Sequence, residues 1–364
     1  MDKKVTASSI KNFTKNIVID DIIPEISKDD VNEFQIGKHF FYEIENEELK
    51  SIQKKINSHY LQVIPLNNSA IAFRKNLSYL YLFEPHRNNY YFLRLDIKSF
   101  FHSIDLEQLK EIFEYYFDAK DKYIDKNKQQ TALDGFINLI SYKIPKNSPN
   151  EKFRNKEIIP MGFITSPIIS NIVFRKIDIQ IQKFCSKHNI IYTRYADDML
   201  FSSNKKNDFV HSENFEREIE ILINQMNFKL NKHKTVRKEH TISLNGYTIQ
   251  YSKKQIAFQE KVINEFRVSN KKVYIIQKLI HMVNTKKSSN YILKKLFNYK
   301  LPQNVPMGER TKYEKEQLLN KVAGYRSYIL SFINFDKTYN CLQEDTKKKY
   351  LKIIGDLNKI LEDK

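Results

Sequence analysis

The chain has 364 residues, with 61 Lys and Arg against 43 Asp and Glu and a formal net charge of +18. A hydrophobic fraction of 41% excludes a disordered basic tail and supports a core shared by two or more lobes, while the charge points to a polyanionic partner. Two cysteines, Cys185 and Cys341, exclude a disulfide framework and a cysteine-rich metal centre, and the nine His show no zinc spacing. No apolar run is long enough for a membrane span. Met1-Asp2-Lys3-Lys4 leads into no secretory leader, so a cytoplasmic protein without membrane contact is expected.

Residues 1–60 read as an N-terminal extension of mixed polarity, with a helix over Asn46–Tyr60 and no recognisable chemistry. Asp20-Asp21 and Asp29-Asp30 read as surface charge. An apolar and aromatic run from Tyr91 leads into Asp96, which predicts a buried strand ending at that acid. A helix follows, with Leu106, Leu109, Ile112, Phe113 and Tyr116 on one face and Asp105 as its cap. Lys120–Thr131 reads as a charged loop, and Pro145–Glu157 is polar and proline-bearing. Gly162 permits close backbone approach to a ligand. Ser166-Pro167 is a helix start, with Ser166 as the N-cap hydroxyl and proline at the first helical position. Ile169, Ile172, Val173, Ile177 and Ile181 then face the core, with Cys185 near that face.

Ile191–Ser203 predicts a strand, a tight acidic turn at Asp197-Asp198 and a second strand. Phe215, Ile219, Leu222, Ile223 and Met226 mark another helix. Residues after about 255 read as helical. Lys271, Lys272, Lys278, Lys286, Lys287, Lys294, Lys295 and Lys300 fall there without an intervening acid. Leu318, Leu319, Val322, Tyr325, Ile329, Phe332 and Ile333 continue a helical apolar pattern that finishes this lobe or docks a partner.

A carboxylate at the end of a buried strand is costly unless it is paired or bound to a metal. Asp96 and Asp197, facing each other across one sheet, would hold two Mg²⁺ about 3.5–4 Å apart for in-line phosphoryl transfer. Hard oxygen ligands suit that ion. The bland alternative makes Asp96 a turn cap and Asp197-Asp198 a solvated hairpin tip; these two segments alone leave both open. The segment from Ile159 to Asn171 favours the first.

In order along the chain, these segments resemble the palm of reverse transcriptases. Asp96 with Phe100-Phe101 resembles the first catalytic motif, and Pro160-Met161-Gly162 through Ser166-Pro167 and Asn171 the template- and nucleotide-contacting motif. Tyr195-Ala196-Asp197-Asp198 resembles the Tyr-X-Asp-Asp box. Phe228–Thr235 resembles the next motif, Leu244-Asn245-Gly246-Tyr247 the hairpin that grips the primer, and Ala72-Phe73-Arg74-Lys75 the fingers segment. The resemblance covers roughly residues 70–250 and is carried by the order of all these motifs together.

It implies an α+β right-hand polymerase. Fingers lie at 61–90 and 119–165, a ferredoxin-like palm at 91–118 and 166–252, and a helical thumb at 253–364. By resemblance, Asp96 and Asp197 ligate both metals, Asp198 supports them and the Ile97 carbonyl adds a ligand. Mn²⁺ is a possible substitute for Mg²⁺. Arg74 and Lys75 would hold the triphosphate, Phe101 would lie under the sugar, Gly162 would border the nucleotide and Lys234 would lie near the departing pyrophosphate. Lys271, Lys272, Lys278, Lys286 and Lys287 would contact the duplex backbone. For Phe101 a core position competes with that role; for Arg74, Lys75 and the lysine run a solvated face does; for Lys234 a backbone contact does.

Three departures matter. Met161 stands where many relatives have glutamine. Phe83-Glu84-Pro85-His86 replaces the retron pattern Asn-Ala-X-X-His, and Leu244-Asn245-Gly246 replaces Val-Thr-Gly. These point toward the abortive-infection and defence-associated groups. His86 and His102 are expected to make structural hydrogen bonds. The implied activity is RNA-directed DNA synthesis from deoxynucleoside triphosphates on a bound template or non-coding RNA, in antiviral defence, with a partner protein or homo-oligomer possible. Template-free or protein-primed synthesis is one alternative. A catalytically silent RNA-binding scaffold is another, which the intact carboxylates oppose.

Overall fold

The computed structural model describes residues 4–19, 22–120, 123–125, 130–256, 259–303 and 305–362. Asp20-Asp21 lies outside them. The chain forms two compact units, one of Met1–Leu82, Leu93–Ser202 and Asn207–Arg237, the other of Phe83–Phe92, Ser203–Lys206 and Lys238–Lys364.

The first unit opens with α1 (Ala7–Thr14), closed at its start by a reciprocal Thr6–Ser9 capping box. A hairpin follows, β1 (Val31–Ile36) antiparallel to β2 (His39–Ile44), with Gly37 at φ +63 in its turn. The N-terminal segment is thus more than an extension. In α2 (Glu47–Ile56), Asn46 accepts from the amides of Glu48 and Leu49, and acids in the first turn and lysines in the last complement the helix dipole.

β3 (Tyr91–Asp96) ends at Asp96, and its interior is buried as the apolar run predicts. Asp105 caps α3 (Leu106–Glu114), which buries Leu109 and Phe113. The expected loop at Lys120–Thr131 instead contains a short ladder, β4 (Tyr123–Asp125) with β5 (Gln130–Thr131), leading into α4 (Ala132–Ile140). Alternating charge hid that pairing. β6 (Tyr142–Lys143) pairs with β7 (Glu157–Ile158).

The long helix α5 (Ser166–Lys187) buries Ile169, Ile172, Val173, Ile177, Ile181 and Cys185. Its start differs by one residue from expectation. Thr165 is the cap position, Ser166 is already helical, and both hydroxyls are buried without hydrogen-bond partners. β8 (Ile191–Tyr195) and β9 (Asp198–Ser203) form the acidic hairpin. Next come α6 (Glu213–Asn224) and β10 (Val236–Glu239), and the sheet runs β10-β3-β9-β8. This order sets the two acid-bearing strands side by side in an α+β palm.

In the second unit, β11 (Thr241–Leu244), β12 (Tyr247–Ile256) and β13 (Gln259–Val268) form an antiparallel sheet. The helical reading from 255 is therefore corrected: the chain pairs back through Val268 before the helices begin. They are α7 (Asn270–Asn284), α8 (Ser289–Phe297), α9 (Arg310–Tyr339) and α10 (Glu344–Glu362). Tyr247, Phe266, Phe332 and Tyr350 pack at the centre of this unit. Asp336 accepts from the amides of Cys341 and Leu342, which fixes the turn after α9.

Candidate active site

The acidic turn is two residues long. Tyr195 pairs with Asp198, leaving Ala196 and Asp197 as the bend. Ala196 has φ 54, a left-handed conformation that costs an L-residue about 1–2 kcal/mol. The surrounding structure holds it there. Arg194 donates from Nη1 to the Ala196 carbonyl at 2.9 Å, from Nε to Asp178 Oδ1 at 2.9 Å and from Nη2 to Asp178 Oδ2 at 2.7 Å. Nη2 also donates to Asn171 at 3.1 Å, and the guanidinium lies over the Phe174 ring at 4.5 Å. Asn171 in turn donates to the Ala72 carbonyl at 2.8 Å. Arg194 and Asp178 are fully buried, so the pair is stable only because nearly every polar atom is engaged.

The turn meets the end of β3 through the backbone. The Ile97 amide donates to the Asp197 carbonyl at 3.0 Å, and the Asp96 carbonyl accepts from the Asn231 amide at 2.7 Å. Asp96, Ile97 and Asp197 line one cavity of about 870 Å³. Asp96 is buried; its Oδ2 accepts from Lys234 Nζ at 2.9 Å, and its Oδ1 has no hydrogen-bond partner. Burial, followed by the neighbouring Asp198 and Asp96 charges, pushes the Asp197 carboxyl up to about 6. Arg94 bridges the two acids: it donates to Asp198 Oδ1 from Nε at 2.9 Å and also from Nη2, and that Nη2 lies 3.5 Å from Asp96 Oδ2.

Among the described residues, no group of three or more His, Cys, Asp or Glu side chains converges as a metal cage. The donor set nevertheless fits hard divalent cations. A buried carboxylate oxygen lacks a hydrogen-bond partner, and a second carboxylate beside it is pushed up by burial and then by the Asp198 and Asp96 charges. Asp96 and Asp197 are the residues that would hold such ions, and Arg94 restrains Asp198.

The remaining predicted residues fall at several places. Phe101 lines the same cavity, with its ring 5.5 Å from Phe100 and 6.3 Å from Phe73. Lys234 also lines it and pairs with Asp96. Arg74 and Lys75 line a different cavity with Ser58, Gln62 and Ile168. Arg74 Nη1 donates to the carbonyls of Asn67 and Ala70, so its local backbone holds it.

Gly162 has φ +120, and a Cβ there would lie 2.5 Å from the Tyr42 carbonyl oxygen. Its backbone thus approaches the chain's own β2 closely. Lys271, Lys286 and Lys287 are exposed in the second unit. Lys272 is half-buried, with Nζ 5.4 Å from the Tyr325 ring centre, and Lys278 lies 5.7 Å from that of Tyr274. His102 borders the Asp96 cavity, and its Nε2 is buried without a hydrogen-bond partner.

Sequence reasoning missed the β1–β2 turn, which brings Lys38, His39, Phe40 and Phe41 to the cavity, and it missed Lys152. It also passed over Arg94 and Arg194. Basic residues inside strands next to acids were the available signal for the last two.

The family model described as reverse transcriptase (RNA-dependent DNA polymerase) matches residues 36–249. The chain belongs to that family. It is 32% identical over 163 residues to the retron Ec73 reverse transcriptase of Escherichia coli, covering 43% of this chain and 47% of that protein. The retron Ec83 reverse transcriptase of the same organism is 30% identical over 158 residues, covering 43% and 46%. The matched segment thus spans about half the length of these curated relatives. Among solved structures, a telomerase from Candida albicans in complex with a fragment of telomeric RNA aligns at 11% identity and TM-score 0.44, over 96% of this chain and 66% of that chain. The departures at Phe83–His86 and Leu244–Gly246 thus occur in a chain similar to these two retron enzymes.

Proposed function

We propose that the chain is an RNA-directed DNA polymerase that adds deoxynucleotides to a 3′-hydroxyl with divalent metal, two Mg²⁺ being the expected complement. The observation that carries this reading is the pairing of the Ile97 amide with the Asp197 carbonyl, in a cavity where Asp96 keeps one buried carboxylate oxygen unpartnered. When bound, the metals would lower the pKa of the attacking hydroxyl and offset charge on the leaving pyrophosphate.

The side chains supply the rest. Asp96 and Asp197 would hold the metals, while Arg94 restrains Asp198 beside them. Lys234, 47% exposed, is placed to exchange Asp96 for the pyrophosphate as negative charge develops. Phe101 forms an apolar wall where a sugar would rest. The family match supports an RNA template and nucleotide substrates. A role in antiviral defence with a bound non-coding RNA follows from the resemblance alone.

The test is incorporation of labelled deoxynucleotides with Mg²⁺, using co-purifying RNA with and without ribonuclease pretreatment. Incorporation lost with ribonuclease and in Asp197→Asn supports the reading. Asp197-dependent incorporation that survives ribonuclease moves it to template-free or protein-primed synthesis. Activity retained in Asp197→Asn would overturn it. For the defence role, a strain carrying Asp197→Asn should lose phage protection; unchanged protection counts against it.

A further inference from the structure

The first unit carries another cavity, of about 550 Å³, that shares no lining residue with the one holding Asp96 and Asp197. Its walls come from α3, from α5 and from the residues just after α6. Ile172 and Val173 are buried and give it an apolar floor. Tyr115, directly after α3, also lines it and is 81% exposed, more than any other large apolar side chain described in this unit. An aromatic ring so placed has apolar surface left to bury. Two polar atoms in the walls are unsatisfied: the side-chain oxygens of Gln108 on α3 and Gln180 on α5 are buried without hydrogen-bond partners. A buried acceptor is unfavourable until a donor reaches it. The same cavity is lined by Glu111 on α3 and by Arg175 and Lys176 on α5. Among the described residues, none of these three charges makes an ion pair.

We propose that this face binds a second copy of the chain about a two-fold axis. Such an interface applies one patch to itself, so every feature must find its complement on the same patch. Here each does. Tyr115 is a projecting ring, and the apolar cavity beside it is the space that receives the ring of the other copy. The tyrosine hydroxyl is a donor, and the Gln108 and Gln180 oxygens are acceptors in want of one. Glu111 on one helix, with Arg175 and Lys176 on the other, supplies both signs of charge, so the acid of each copy meets the bases of its partner, twice over. A patch shaped for an acidic protein would not carry Glu111. A patch shaped for a phosphate backbone would carry neither Glu111 nor an apolar floor. Tyrosine, methionine and arginine are enriched where proteins associate, and Tyr116, Met226 and Arg175 all line this cavity. The net charge of +18 repels a second copy at a distance. At physiological ionic strength that repulsion is screened beyond about 8 Å, which leaves the local pattern to decide.

The experiment measures the mass of the full chain in solution by sedimentation, freed of nucleic acid, at about 0.15 M salt and across a wide range of concentration. The mass should rise with concentration from 43.6 kDa toward twice that value. Glu111→Lys, and separately Arg175→Glu/Lys176→Glu, should each weaken the dimer at least tenfold, because like charges then meet across the axis. Mixing the two reversed chains should restore a dimer of one copy of each, since both sets of opposite charges are then rebuilt. Tyr115→Ala should weaken the dimer similarly, and Tyr115→Phe, which keeps the ring and loses the donor, should weaken it less. Melting temperatures show that each variant is folded. A chain that stays at 43.6 kDa at every concentration overturns the proposal. So does a dimer indifferent to both charge reversals, or two folded reversed chains that fail to pair when mixed.

Discussion

Arg194 and Asp178 form a fully buried, two-pronged ion pair, and the third face of the same guanidinium holds the carbonyl of Ala196 at the acidic turn. Removing one member of such a pair strands the other in a low-dielectric interior, which typically costs 3–5 kcal/mol. Arg194→Leu is therefore expected to lose about that much stability in urea denaturation. The double variant Arg194→Leu/Asp178→Leu should regain much of the loss, yet still incorporate poorly, because Ala196 lacks its donor. A single variant within about 1 kcal/mol of the unsubstituted chain would contradict this arrangement.

Asp197 sets a pH dependence with a definite sign. Its carboxyl is pushed up to about 6 in the folded chain, so folding takes up a proton between roughly pH 4 and pH 6. Metal-free stability should fall as pH rises through that window. Asp197→Asn has no proton to lose. In chelator it should match the unsubstituted chain near pH 4 and exceed it near pH 7.5, by up to ~3 kcal/mol for a shift of about two pH units. Added Mg²⁺ should stabilise the unsubstituted chain at pH 7.5 and leave the variant unchanged, while incorporation is abolished. Thermal melts at the two pH values, with and without Mg²⁺, read all of this; equal melts throughout would remove Asp197 from the metal site.

Gly162→Ala tests the seating of the N-terminal hairpin. The added Cβ meets the Tyr42 carbonyl oxygen at 2.5 Å, and φ +120 is strained for any L side chain. A loss of about 2–4 kcal/mol is expected from the combined overlap and backbone strain. Melting of the variant should show it, with a raised KM for nucleotide because β2 lines the cavity. Wild-type-like stability would mean that the hairpin is not fixed there.

The exposed lysines of the second unit give a prediction about salt. Replacing Lys271, Lys286 and Lys287 together by Gln should weaken duplex binding uniformly across sequences. If each contacts one phosphate, the slope of log affinity against log salt should shrink by about 0.9 per lysine. An unchanged slope would make them a solvated face.

Much of the palm is legible in the chain, because its signals are local. The apolar run leading to Asp96, helical spacing from Ile169 to Ile181 and paired strands around Asp197 are each read within a short stretch of chain. What escaped depends on partners far away in sequence. Nothing near Gly162 indicates that Tyr42 lies against it. Nothing near Arg74 shows that two carbonyls already occupy its guanidinium, and nothing near Lys152 predicts its approach to Ser99. The β12–β13 ladder escaped for another reason: the alternation of Tyr247, Ile249 and Tyr251 breaks off at the polar run from Ser252 to Gln255.

The Tyr42 amide donates to the Met161 carbonyl at 2.8 Å, so the first hairpin joins the segment before α5 through main chain alone. A joint of this kind is indifferent to the side chains that flank it. Met161 could be exchanged for glutamine without undoing the joint, provided the neighbouring glycine remained. The side chain at this position can therefore vary while the frame that presents it stays intact.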